Sequence, residues 1–280
     1  MKTKSRFPLV AVLLVAIPAF AQFDQFKKAL DSVKGTPSTG TKNNTTDTLN
    51  ALGQVGRGIA GIGPEEEKNI GDSVAVEIVG KYGGLVRDAA ILHRVNLVGR
   101  ALARYSDRPE LNWRFGVLNS DSVNAFSAPD GWVFISRGLY ALAKDDDELA
   151  GILGHEIAHI TGRHALNLLR GSNIAAGGAG FLATRSNDAR TANAALQNFD
   201  SGIDKVFTGI VEKGFSADTE YGADKVGHSL AAITGYAPGG LRAVLVQLQQ
   251  RGGDSKKFFP THPPLKERIA RLPDEPAPKP

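Results

Sequence analysis

His155-Glu156-Ile157-Ala158-His159 is an H-E-x-x-H pattern. On a helix, residues four apart share one face, about 6 Å apart along the axis. Both histidines can therefore reach one metal ion. Glu156 projects roughly 100° around the helix, where it can meet a water on that ion. Zinc lowers the pKa of such a water toward ~7. A carboxylate beside it can take the proton and pass it to a leaving amine. The spacing thus serves metal-assisted hydrolysis, with Glu156 as the catalytic general base. The competing reading is two histidines on an ordinary helix, and the surrounding sequence disfavours it.

A catalytic zinc takes three protein ligands and keeps one position open. The longer pattern H-E-x-x-H-x-x-G-x-x-H would need a histidine at position 165, which is Ala165. His164, five residues after His159, lies about 140° away from the pair on a continued helix, and is rejected as a ligand. A His₂Glu set is the alternative. In Ser216-Ala217-Asp218-Thr219-Glu220-Tyr221-Gly222-Ala223-Asp224, Ser216 suits a helix N-cap and the two acids four apart share a face. Glu220 reads as the third ligand. Asp224 reads as the carboxylate that orients a ligand histidine through its free N–H. Alone, this pair would be a solvated acidic face; it gains weight beside H-E-x-x-H. The chain has no cysteine. Thiolate ligands, thiol nucleophiles and disulfides are therefore excluded, and a structural zinc site closed by cysteines with them.

Several elements must position these groups. Asp145 with Glu148 resembles a capping box, and Leu149, Ile152, Leu153, Ile157 and Ile160 suit a buried helix. Gly151, Gly154 and Gly162 lower helix propensity, which close packing would explain. Pro64 followed by three glutamates opens a helix that runs to about Tyr82, and a second fits Asp88 to Tyr105. Trp113–Leu118 and Trp132–Ser136 read as strands, with Val123–Phe126 as an edge segment and Pro129-Asp130-Gly131 as a turn. An exposed edge there could hold an extended peptide by β-augmentation; a plain core hairpin is the other reading. A short helix at Gly138–Ala143 precedes the metal helix, and a last helix is expected over Pro238–Gln250. The Ala/Gly-rich stretch from Gly171 to Phe215 reads as a packing hairpin, a lid or a membrane-touching loop. The fold class is α+β, a mostly helical zincin-like domain with a small antiparallel sheet.

Lys2, Lys4 and Arg6 precede an apolar run that ends in Ala19-Phe20-Ala21. Residues 1–21 thus read as a secretory signal peptide, with an uncleaved anchor as the runner-up. Residues 22–63 are turn-rich and read as a flexible leader, 64–272 as the catalytic domain, and 273–280 as a disordered tail. The chain carries 33 Lys+Arg against 29 Asp+Glu, and no basic cluster stands outside the signal, so a nucleic-acid partner is not supported. Export across the inner membrane to the periplasm is expected.

The segments EEEKNIGDSVAVEI, SVNAFSAPDGWVFISRGL, ELAGILGHEIAHITGRH, FSADTEYGAD and THPPLKERI resemble metallopeptidase family 48, a family of gluzincins. The resemblance covers roughly Pro64 to Leu272. It implies zinc bound by His155, His159 and Glu220, Glu156 as base, and Asp224 in support. It places Asn124, Ala125 and Phe126 along a substrate cleft, and His262 near the zinc as an oxyanion-stabilising catalytic group or as a fourth ligand that keeps the enzyme latent. Ala217 departs from the family's usual arginine, at the expected loss of one local salt bridge. The implied activity is that of an endopeptidase on unfolded or misassembled envelope polypeptides. Contact with the membrane or with outer-membrane assembly machinery is also implied. A second function class is a periplasmic chaperone or binding protein for envelope assembly, its protease activity latent.

Overall fold

The computed structural model describes residues 62–169, 189–252 and 261–273. The expected signal peptide, nearly all of the leader, the first part of the 171–215 stretch and the tail beyond residue 273 lie outside the described residues. The described elements begin with α1 (Pro64–Lys81), α2 (Ala89–Arg104), β1 (Arg114–Leu118), β2 (Ala125–Ala128) and β3 (Trp132–Ser136). Next come α3 (Arg137–Tyr140), α4 (Asp146–Thr161), α5 (His164–Asn167) and α6 (Ala189–Thr208), which continues as a π-helix over Gly209–Lys213. The last are α7 (Ala217–Thr234), α8 (Gly240–Gly252) and α9 (Leu265–Arg271).

The helix of the H-E-x-x-H pattern, α4, is the centre. Asp145 caps it, accepting the Glu148 backbone N–H at 2.8 Å, while Glu148 accepts the Lys144 N–H at 2.8 Å. Asp146, Asp147 and Glu148 place negative charge at the positive end of the helix dipole. Every residue from Glu148 to Ile160 is buried. A helix buried all round must be covered on all sides. Here α7, α8, α2 and β2 supply the cover.

The two glycines of α4 make that cover possible. A Cβ on Gly151 would lie 2.2 Å from the Leu241 nitrogen of α8, and one on Gly154 would lie 3.0 Å from the Gly227 oxygen of α7. Low helix propensity is tolerated because the two backbones nearly touch. Gly162, the C-cap of α4, lies against the His164 ring.

The sheet is small, as expected, but its pairing is mixed and not wholly antiparallel. Its order is β1-β3-β2, with β1 parallel to β3 and β2 antiparallel to β3. The link after β1 carries the chain past one strand position. The turn at Pro129-Asp130-Gly131 then returns it, with positive φ at Asp130 and Gly131, so that β3 fills the gap. All three strands are buried along their length. That leaves no polar face to mark the parallel pair in the sequence.

Two boundaries also shift. The short helix after β3 covers Arg137–Tyr140, capped by Ser136, which accepts the Leu139 N–H at 3.2 Å. The helix expected to be last is followed by α9, whose first residue comes directly after Pro263-Pro264. Tyr221 of α7 donates to Glu267 at 2.6 Å and lies under Arg271, tying α9 to α7. Among the described residues, no helix is long and apolar enough to cross a membrane.

Candidate metal centre

Four side chains from three segments meet at one point. His155 and His159 come from α4, Glu220 from the first turns of α7, and His262 from the segment before α9. The Nε2 atoms of His155 and His159 are 3.1 Å apart. Glu220 oxygens lie 3.5 Å from His155 Nε2, 3.6 Å from His159 Nε2 and 3.4 Å from His262 Nε2. Ligand atoms about 2.0–2.1 Å from a tetrahedral ion are separated by about 3.3 Å. The observed spacings bracket that value.

Glu220 tests whether a cation belongs there. Both of its carboxylate oxygens are buried without a hydrogen-bond partner. The nearby ring nitrogens stand too far away for ordinary hydrogen bonds. An ionised carboxylate buried in this way is strongly unfavourable unless a cation meets it. Three imidazole nitrogens and one carboxylate form a donor set that suits zinc. The residues present fit one such ion.

The α7 N-cap is the expected one: Ser216 accepts the Thr219 N–H at 3.3 Å. What sets the depth of Glu220 is the crossing of α7 over α4. A Cβ on Gly227 would lie 2.6 Å from the His155 backbone nitrogen. Gly227→Ala must therefore lift α7 off the metal helix. Such overpacking typically costs about 1–3 kcal/mol. Thermal unfolding should show that loss, and the zinc dissociation constant should rise with it, because Glu220 retreats from the two histidines.

The groups behind the donors are equally ordered. Asp224 lies 2.8 Å from His155 Nδ1. The Arg268 guanidinium grips Asp224 through Nε at 2.9 Å and Nη2 at 2.6 Å, and is itself fully buried. Burial alone would lower the His155 pKa, but the Asp224 and Glu220 carboxylates raise it to about 9. Burial would raise Asp224, and Arg268 overrides it and holds the carboxyl well below its usual range. Arg268 thus packs beneath His155, its Nη2 3.4 Å from the ring's Nδ1.

His159 is held differently. Its Nδ1 meets His164 Nδ1 at 2.9 Å, and the Phe215 ring stacks on it with centroids 4.7 Å apart. Burial and the neighbouring histidines push the His159 pKa well down, and burial also lowers His164. On a continued helix His164 would point away. Instead α4 stops at Gly162, and Arg163 takes a left-handed conformation that swings His164 back.

Glu156 is buried beside the donor set. Burial raises its pKa, while His155 and a hydrogen bond with Ser127 lower it. Ser127, Ala125 and Phe126 of β2 line a cleft of about 240 Å³ together with Glu156, Phe215 and His262. The edge strand expected near Val123–Phe126 is thus β2, shifted toward Ser127. Asn124 is turned into the local backbone, its side chain accepting the Ala125 N–H at 2.9 Å. His262 bonds to Thr261 at 3.1 Å, and burial pushes its pKa down to about 3. His164, rejected as a ligand from the sequence, is not among the four donors; sequence reading missed its contact with His159, and missed Ser127 and Phe215. The H-E-x-x-H spacing marks none of them, because each reaches the site through a turn or another element.

Comparison with known proteins adds a family match. Peptidase family M48 matches residues 71–275. The Beta-barrel assembly-enhancing protease of Escherichia coli (strain K12) is 24% identical over 235 residues, covering 81% of this chain and 47% of that protein. The Mitochondrial metalloendopeptidase OMA1 of Schizosaccharomyces pombe is 28% identical over 213 residues, covering 74% and 60%. Metalloprotease YcaL of Escherichia coli (strain K12) is 27% identical over 182 residues, covering 65% and 68%. The chain spans about half the length of the first of these relatives.

Proposed function

The chain belongs to peptidase family M48, and from that premise we propose that it is a zinc-dependent endopeptidase acting on unfolded or misassembled envelope proteins. One observation carries the reading: the unpartnered, buried Glu220 carboxylate faces two H-E-x-x-H histidines at ligand spacing. His155, His159 and Glu220 would hold the metal. Bound zinc supplies a Lewis acid and an acidified water.

The chain's own groups do the rest. Glu156, its pKa raised by burial, takes the proton from the attacking water and delivers it to the leaving amine. Asp224 fixes the His155 ring through Nδ1–H. The cleft beside Glu156, lined by Ala125, Phe126 and Ser127 of β2, takes an extended substrate; Asn124 holds the start of that strand by accepting the Ala125 N–H. Such binding reads backbone more than side chain, which suits unfolded chains. The envelope setting rests on the signal-like residues 1–21 and on the name of the Escherichia coli beta-barrel assembly-enhancing relative.

A second reading has its own support. His262 stands 3.4 Å from Glu220, close enough to complete a four-donor set. In that arrangement the enzyme is latent, and binding of assembly clients is its resting work. With the position open, His262 is placed to stabilise the oxyanion instead.

The test is a time course of casein cleavage by zinc-loaded protein, with and without chelator. Cleavage that stops on metal removal and returns with zinc is the expected result. If zinc-loaded protein is inert and His262→Ala cleaves, latency is the correct reading. If neither cleaves, the endopeptidase assignment fails.

A further inference from the structure

The two metal-site histidines of α4 are supported unequally, and the weaker support has a specific chemistry. His155 Nδ1 faces a carboxylate that Arg268 holds in place. His159 Nδ1 faces a second imidazole, His164, at 2.9 Å. Two ring nitrogens at that distance must be one donor and one acceptor. If His159 offers the Nε2 lone pair to a metal, its hydrogen sits on Nδ1. His164 Nδ1 is then the acceptor, and the hydrogen of His164 sits on Nε2.

The local backbone is built for this contact. A Cβ on Gly162 would lie 2.4 Å from His164 Nε2, so only glycine leaves room for the ring. Arg163, at φ 53°, reverses the chain so that α5 opens with His164 beneath His159. Phe215 closes the stack, its ring centroid 4.7 Å from that of His159 and 5.9 Å from that of His164. The interplanar angle of the two histidines is 82°, which aims the edge of one ring at the other.

The geometry points to His164 as a positioning residue for the metal site, accepting the His159 Nδ1–H and so holding His159 in the tautomer and rotamer that can ligate zinc. This rests on the metal-site reading above. Without an acceptor at that point, His159 can carry its hydrogen on Nε2, where it blocks coordination, or rotate about its ring bond.

The experiment measures zinc affinity by chelator competition, using the whole 280-residue chain, alongside melting of the metal-free protein. Lost support behind a ligand histidine typically costs ~10–100-fold in metal affinity. His164→Phe keeps bulk without an acceptor, and should weaken zinc by about that factor while the metal-free melting temperature holds. His164→Asn restores an acceptor oxygen near the Nδ1 position and should recover most of the affinity. His164→Leu repeats the test if the Phe variant does not fold. The assignment is overturned if the apolar variants bind zinc like the wild type, or if Asn falls as far as Phe. A wild type that binds no zinc would instead overturn the metal site itself, and the assignment with it.

Discussion

Glu156→Gln should leave zinc bound and slow casein hydrolysis by at least about 10²-fold, the lower range for a lost general acid–base. The substitution is nearly isosteric. Glu156 is not one of the four donors, so the metal content should match the wild type. Gln can keep the hydrogen bond with Ser127 through its side-chain amide. Burial already disfavours the charged form of Glu156, so a neutral amide should not destabilise the fold. What disappears is a group that can accept a proton from water and release it to an amine. Initial rates, set beside zinc content by atomic emission, separate the two effects. Undiminished hydrolysis with full zinc would remove Glu156 from the mechanism. Equal loss of zinc and rate would mean that the substitution had disturbed the site and not the proton transfer.

The contrast between Glu156 and His164 shows what the sequence could and could not carry. The helical period alone places His155, Glu156 and His159, because all three lie within five residues of one helix. The capping residues Asp145 and Ser216 were legible for the same reason: each acts on a backbone N–H three residues away. His164 was not, since its position depends on where α4 ends, and one left-handed residue at Arg163 decides that. The strand segments were legible from their β-branched and aromatic content. The parallel pairing of β1 with β3 was not, because pairing partners are a property of the whole chain path. Gly151 and Gly154 announced close contact, but not with what; their partners, Leu241 and Gly227, lie far along the sequence. Arg268 is the sharpest case. A lone arginine beyond a Pro-Pro pair carries no signal of burial, yet it is the counter-ion of the carboxylate behind His155.

Replacing Arg268 with methionine should therefore cost about 3–5 kcal/mol of folding stability, the range for removing one partner of a buried ion pair. Asp224 would remain in a buried site with no guanidinium to meet either oxygen. Its low pKa depends largely on Arg268, so the carboxyl should take up a proton in the variant. A protonated Asp224 holds the His155 Nδ1–H less firmly, and zinc affinity should fall together with stability. Pairing Arg268→Met with Asp224→Leu separates these consequences. The double variant leaves neither member of that pair buried and unpaired, so denaturant unfolding should recover much of the lost stability. It still lacks the carboxylate behind His155, so its zinc affinity should stay ~10–100-fold below the wild type. Recovery of both would mean that the pair serves packing alone. A single variant that loses less than about 1 kcal/mol, the value of an exposed pair, would mean that Asp224 finds another partner when Arg268 is gone. The expected split, stability restored and affinity not, follows from Asp224 having two roles at once. It neutralises the arginine that anchors α9, and it meets the ring of the proposed metal ligand His155 at 2.8 Å.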